Sequence, residues 1–359
     1  MTTMTDTERL VTLGVDTHAD IHIAAALDQL GRIIDTHAIP TTTAGYADLL
    51  QWASDLGVID RVGIEGTGSY GAGLARWLTA HGLTVVEVAR PDRRARRRHG
   101  KTDEVDAIAA ARAVQSGDAT TTPKAGDGPV AAIRALHVTR RGAVKARTQA
   151  ANQLRALVVT APHDLRAQLR DLPTATLAAT AARLRPAAAT NATDDTAAID
   201  VTAATKLALR HTARRWQQLT IEIDALTGHL TSLINATAPD LTARDGVGVH
   251  TAAQLLITAG DNPDRLHNDA AFAHLCGAAP IPASSGKTTR HRLNRGGDRH
   301  ANSALYTIAI TRMRWDPPTQ TYVTRRTTEG KTRREIIRCL KRYIARELHP
   351  IIRTALTPT

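Results

Sequence analysis

The first strong hydrophobic run, Val11-Thr12-Leu13-Gly14-Val15, is short, β-branched and closed by the carboxylate of Asp16, the pattern of a buried strand. Residues 21–27 and 32–38 read as two further strands, joined by a turn at Asp28-Gln29-Leu30-Gly31. The period then lengthens. Tyr46, Leu49, Leu50 and Ala53 fall at helical intervals, which predicts a helix over 43–56 with Thr43 as its cap. A fourth strand over 61–65 ends on Glu65, a helix follows over 71–81, and a fifth strand covers 83–88. Three strands of antiparallel type followed by strand, helix and strand make an α/β sheet.

The rest of the chain reads as helices. One starts at Asp103 and stops at Gly117, followed by a Gly/Pro/Thr-rich linker over 118–129. A basic helix spans 130–161. Residues 185–199 lack large apolar groups, and beyond them Trp216, Leu219, Ile223, Leu226, Leu230 and Leu233 recur as a heptad seam. That seam fits a helical hairpin within the chain and a contact between subunits equally well. Asp245-Gly246-Val247-Gly248 leads into a helix, either as a helix-hairpin-helix element that meets a phosphate or as a plain helix start. Further helices are expected over 270–276, 302–314 and 331–349. In the last, Ile336, Ile337, Leu340 and Ile344 would pack and Lys341, Arg342 and Arg346 would point outward. The expected organisation is an α/β domain over 1–128, an all-α arm with coiled-coil character over 129–238, and a mostly α C-terminal domain over 239–359.

Charge adds direction to this outline. Of the formal net charge of +12, all falls after Gly286, where 17 Lys and Arg face 5 Asp and Glu. A second basic run, Arg90, Arg93, Arg94, Arg96, Arg97, Arg98 and Lys101, lies immediately before the acids at 103 and 106. Such runs are either solvated loops or grips for phosphate, and their place beside an acid cluster favours nucleic acid as the partner. No apolar run approaches a membrane span and no signal-peptide pattern opens the chain, so a soluble cytoplasmic protein with no membrane partner is expected. Cys276 and Cys339 lack metal-ligand spacing and read as buried thiols.

Asp103 and Asp106 lie one helical turn apart and share a face. The plain reading is a well-begun helix capped by Thr102, with acids suiting the dipole. Asp16 and Glu65, each closing a buried strand, change that reading. Four carboxylates gathered at one point need cations between them, and Mg²⁺ or Mn²⁺ takes carboxylates, waters and phosphate together.

The order of these acids is that of the RNase H-like, RuvC-type nuclease fold. Gly14-Val15-Asp16-Thr17, Ile64-Glu65-Gly66-Thr67-Gly68-Ser69-Tyr70 and Lys101-Thr102-Asp103-Glu104-Val105-Asp106-Ala107 resemble the IS110-family transposases, also called DEDD recombinases. A second resemblance lies in Gly277-Ala278-Ala279-Pro280, Ser285 directly before Gly286, and the basic stretch that follows. The resemblance implies that Asp16, Glu65, Asp103 and Asp106 hold the metal and that a C-terminal serine is the nucleophile. Serine before glycine is the family pattern, which selects Ser285 over its neighbour Ser284. Without the resemblance, Ser285 would be a turn residue. Lys287, Arg290, Arg292 and Arg295 are then candidates to hold phosphates around it. The resemblance further implies double-stranded DNA at the element ends and target, a structured guide RNA, and a homo-oligomer, dimer or tetramer.

The expected activity is therefore transposition through a phosphoserine–DNA intermediate, because a serine ester keeps the phosphodiester bond energy that hydrolysis discards. Two other readings fit the same residues. One is a Holliday-junction-type nuclease that uses water. The other is an inactive nucleic-acid-binding protein, against which the intact Asp16, Glu65, Asp103, Asp106 and Ser285 argue.

Overall fold

The computed structural model describes residues 9–88, 102–185, 201–262, 266–284, 291–292, 294 and 296–357. Arg93, Arg94, Arg96, Arg97, Arg98, Lys101, Ser285, Lys287, Arg290 and Arg295 lie outside the described residues. The chain divides into two compact units, one formed by 1–128 with 259–267, the other by 129–258 with 268–358.

In the first unit, β1 (Leu10–Thr17), β2 (Ile21–Leu27), β3 (Ile33–Pro40), β4 (Val58–Glu65) and β5 (Val85–Val88) form one sheet in the order β3-β2-β1-β4-β5. β1–β2 and β2–β3 pair antiparallel; β1–β4 and β4–β5 pair parallel. This mixed sheet fits an RNase H-like fold. The β2–β3 turn is held by Asp28, whose Oδ1 accepts the backbone N–H groups of Leu30 and Arg32, each at 2.9 Å. One face buries Leu13, Val15, Val62 and Ile64 against α1 (Thr43–Leu56) and α2 (Ala72–Ala80), which contribute Leu49, Leu74 and Leu78. Full burial of a leucine such as Leu49 contributes about 1.5–3 kcal/mol. Thr42, rather than Thr43, caps α1, accepting the N–H of Gly45. The opposite face carries α3 (Asp103–Gln115). The returning segment 259–267 joins this unit through Asn262, whose Nδ2 donates to the carbonyl of Pro123 at 2.8 Å.

In the second unit, α4 (Pro129–Val159) packs antiparallel along α7 (Val201–Thr237). Arg140 Nε donates to Thr227 Oγ1 at 2.7 Å toward one end. At the other end, Leu154 and Val158 cluster with Leu209 and Ala213. Two short helices, α5 (His163–Leu169) and α6 (Thr174–Ala181), close that cluster with Leu165, Leu169 and Leu177. Of the seam residues, Ile223 and Leu230 are buried, whereas Trp216, Leu219, Leu226 and Leu233 are half-buried.

Then follow α8 (Pro239–Thr242), α9 (Val249–Ala259), α10 (Asp269–Leu275), the hairpin β6 (Ile281–Pro282) and β7 (His291–Arg292), α11 (Arg299–Trp315), α12 (Pro317–Thr328) and α13 (Arg333–Leu356). α12 has no counterpart in the hydrophobic pattern; it starts because Asp316 accepts the N–H of Thr319 and Pro317 suits the first turn. α13 opens with a capping box between Thr332 and Glu335 and runs through Pro350. One expectation on α13 is corrected. Lys341 does not point outward: it is 6 % exposed, and its ammonium donates to Asn302 Oδ1 at 2.9 Å. Its position four residues after Ile337 and three before Ile344 puts it on the buried stripe. Among the described residues, no helix is long and apolar enough to cross a membrane.

Candidate active site

Asp16 and Asp103 approach each other where the sheet is bare beneath α3. Gly14 on β1 and Gly63 on β4 are register partners and share one face of the sheet. A Cβ on Gly14 would stand 2.1 Å from the Ala107 carbonyl oxygen, and one on Gly63 would stand 2.5 Å from Val114 Cγ2. With no side chains between them, the helix backbone lies almost on the strands, and Ala107, Ala110, Ala111 and Val114 fill the contact.

Alternation then fixes the rest. Asp16 follows Gly14 by two residues and Glu65 follows Gly63 by two, so both carboxylates face the side that α3 covers. Asp103 precedes Ala107, and Asp106 precedes Ala110, by about one turn, which carries both helix acids toward the strand ends. Thr102 caps the helix there, accepting the N–H of Val105 at 3.3 Å. Thr17 Oγ1 donates to the Glu65 carbonyl at 2.7 Å and ties the two strand ends together.

His18, which the acid pattern had not singled out, lies among them. Its Nε2 is 3.1 Å from Asp16 Oδ2 and 3.3 Å from Asp103 Oδ1. One donor atom from each of Asp16, His18 and Asp103 lies within 4.8 Å of the others. His18 is held from behind: its backbone N–H donates to Nδ1 of the fully buried His22 at 3.3 Å. Its signal in the sequence was the alternation itself, two residues beyond Asp16. Burial raises the Asp16 carboxyl above its ordinary pKa; His18 opposes that shift, and the charges of Asp106 and Asp103 add to it. Buried carboxylates that repel one another, with a nitrogen donor in range, fit a divalent cation.

Asp106 is buried, Glu65 half-buried and Asp103 exposed. In the second unit Arg292 stands exposed on β7 and Ser284 is exposed after β6.

An acid-ended mixed sheet with a helix-borne acid pair defines a candidate metal-dependent enzyme of RNase H-like fold. Comparison with known proteins gives the family. The DEDD-type IS110 model, described as a transposase, matches residues 13–161, and a model described as the transposase IS116/IS110/IS902 family matches residues 239–324. The chain belongs to the IS110 family of transposases. It is 35 % identical over 135 residues to an insertion element IS110 uncharacterized 43.6 kDa protein of Streptomyces coelicolor, covering 36 % of this chain and 32 % of that one. It is 32 % identical over 98 residues to an insertion element IS900 uncharacterized 42 kDa protein of Mycobacterium paratuberculosis, covering 27 % of this chain and 25 % of that one. The matched stretches thus span about a third or less of these relatives.

Proposed function

We propose that the protein is a DNA recombinase that moves an insertion element, cutting and rejoining strands through a serine ester of DNA. The observation that carries this reading is the approach of Asp16 and Asp103 across the bare Gly14–Gly63 floor, in a chain of a transposase family. Asp16, Glu65, Asp103 and Asp106 hold divalent cations, Mg²⁺ or Mn²⁺, which when bound neutralise charge on the phosphate and on the attacking and leaving oxygens. His18 sets the spacing of Asp16 and Asp103.

Ser285 Oγ attacks the scissile phosphorus. An Oγ–P bond forms, the P–O3′ bond breaks, the serine proton passes to solvent, and the departing 3′ oxygen takes up a proton. A second 3′-OH then attacks the phosphoserine and restores both phosphodiester and serine. Basic residues Arg93, Arg94, Arg96, Arg97, Arg98, Lys101, Lys287, Arg290, Arg292 and Arg295 grip the nucleic-acid backbone. The proposed organisation is a RuvC-type domain over 1–128, a coiled-coil arm over 129–238 and a serine domain over 239–359. A guide RNA and a dimeric or tetrameric assembly complete the reading.

Strand-interrupted DNA incubated with Mg²⁺ should yield a denaturation-resistant protein–DNA adduct. Asp103→Asn should lose adduct and cleavage while DNA affinity stays near wild type. Ser285→Ala should lose both, and Ser284→Ala should keep both. Cleavage by Ser285→Ala at the wild-type rate with no adduct would replace the serine mechanism with hydrolysis by water.

A further inference from the structure

Within the second unit, a cavity of about 660 Å³ opens between the loop after α10, strand β7, α12 and α13. Its walls include Arg292, Arg326, Arg338, Lys341 and Arg342, against one carboxylate among the described lining residues, that of Glu335. That carboxylate is committed to the capping box, where Oε2 accepts both the N–H and the hydroxyl of Thr332.

Three of these cations carry donors that the described residues leave wanting. Lys341 is 6 % exposed, yet its one hydrogen bond goes to a neutral amide, Asn302, and it forms no ion pair with any described carboxylate. Arg342 Nη2 pairs with Asp269 at 2.8 Å, but Nη1 is buried without a partner. Arg326 reaches Glu329 through Nη1, while its Nε is buried without a partner. A buried cation with no counter-ion is costly. Burial and Arg338 accordingly hold the Lys341 ammonium below its ordinary pKa.

We propose that this cavity is a binding site for a phosphodiester of an unpaired nucleic-acid strand, with Lys341, Arg342 and Arg326 as its donors. A phosphate oxygen is the acceptor that guanidinium forks and an ammonium share most readily. A cavity of this volume admits a nucleotide but not a duplex, and Tyr343, 45 % exposed, lines the same wall with its ring packed edge-to-face with Tyr322 and against the Arg346 guanidinium, an aromatic–cation cluster of the kind that unpaired bases join. The site also has a link to the proposed nucleophile. Asn302, which receives Lys341, donates to the carbonyls of Cys276 and Gly277 at 3.1 and 2.8 Å, at the head of the loop leading into β6. β6 and β7 pair through Pro282 and His291, and Ser285 falls in the segment joining them. A phosphate on Lys341 is therefore coupled through Asn302 to the Cys276–Gly277 turn at the head of the loop leading into β6; its bearing on Ser285 rests on the serine reading above.

The test compares single-stranded DNA, single-stranded RNA and duplex DNA of one sequence, titrated against the full chain by fluorescence anisotropy over a series of salt concentrations. Lys341→Met keeps the length of the side chain and removes its charge. It should weaken single-strand binding about tenfold and flatten the slope of log affinity against log salt by about 0.7. Lys341→Arg should restore most of the affinity. Arg326→Gln, at a partly exposed position, should lower single-strand affinity in the same sense and serves if Lys341→Met fails to fold. A loss confined to DNA identifies the DNA strand as occupant, and one confined to RNA identifies an RNA. Unchanged affinity and slope for both single strands in folded Lys341→Met, or an equal loss on duplex, overturns the pocket. Adduct formation through Ser285 with unchanged binding would sink the pocket alone; lost binding without any adduct in wild type would sink the serine reading alone.

Discussion

Thr17 and Glu65, 48 residues apart, are joined by a hydrogen bond of 2.7 Å from the Thr17 hydroxyl to the Glu65 backbone carbonyl. The bond closes the C-terminal ends of the neighbouring parallel strands β1 and β4, each of which delivers an acid at or beside that point. Thr17→Val keeps the shape and removes the donor. It should cost about 1–2 kcal/mol of stability, read as a lower midpoint in urea, and should weaken Mn²⁺ binding in calorimetry. Unchanged values in both would mean that the strand ends hold their spacing without this bond.

Gly14→Ala tests the bare floor directly. The new methyl group meets the Ala107 carbonyl and the Ala111 nitrogen at 2.1 and 2.2 Å, both backbone atoms that have no rotamer by which to yield. Overpacking of this kind costs about 1–3 kcal/mol, and it should lift α3 with both of its acids. The expected signature is metal binding lost together with stability although no acid has been altered. Wild-type metal affinity in Gly14→Ala would contradict the close approach.

Acid should loosen the second unit through His137. Burial lowers its pKa to about 4, helped by the facing charges of His250, Arg141, Arg140 and His300. The unfolded chain takes up that proton near the ordinary value of about 6.5. Between these two values the unfolded state binds more protons, so the contribution of His137 is whole above about pH 6.5 and falls away as pH drops toward 4. Thermal midpoints should decline over that window, and His137→Gln should flatten the decline. A wild-type midpoint that is level from pH 7 to 4.5 would exclude this origin.

Asp298 joins three tasks in one carboxylate. Oδ1 caps α11 by accepting the N–H groups of His300 and Ala301, while Oδ2 accepts from Thr258 at 2.7 Å and Gln254 at 3.2 Å, both buried residues on α9. Asp298→Ala removes the cap and the charged acceptor shared by two buried side chains, which keep only the Thr258 hydroxyl's bond to the Gln254 carbonyl at 2.8 Å and the 3.4 Å contact from Gln254 Nε2 to Thr258 Oγ1; the cost should be about 1–3 kcal/mol. Asp298→Asn retains one acceptor and should lose less. Equal losses for the two variants in chemical denaturation would show that charge, rather than hydrogen bonding, holds this junction.

The strands and the acid-bearing helix were legible because their signals are local. β-branched runs ending on Asp16 and Glu65, and a Thr cap ahead of Asp103, need no distant partner to be read. Gly14 and Gly63 were not legible: a glycine within a strand signals a weak spot as readily as a floor, and only the register of β1 on β4 makes them neighbours. His18 was masked by the attention that carboxylates draw. Lys341 sat in plain view on an apolar stripe, but charge alone assigns a lysine to solvent, and its partner Asn302 lies on another helix. α12 escaped because its threonines and paired prolines carry almost no hydrophobic period.

The first unit takes residues from two places in the chain, since 259–267 returns to it long after the chain has left at Gly128. Asn262 fastens the Pro123 carbonyl, and Asp261 lies against Gly128, at whose position a Cβ would stand 2.4 Å from the Asp261 carboxylate. A fragment ended at residue 128 would lack that clasp and fray from its final loop backward. The unit is better isolated as a spliced polypeptide, with 259–267 reattached through a short linker, than as any contiguous truncation. Protease cuts in the intervening stretch should leave its pieces associated until denaturant releases them.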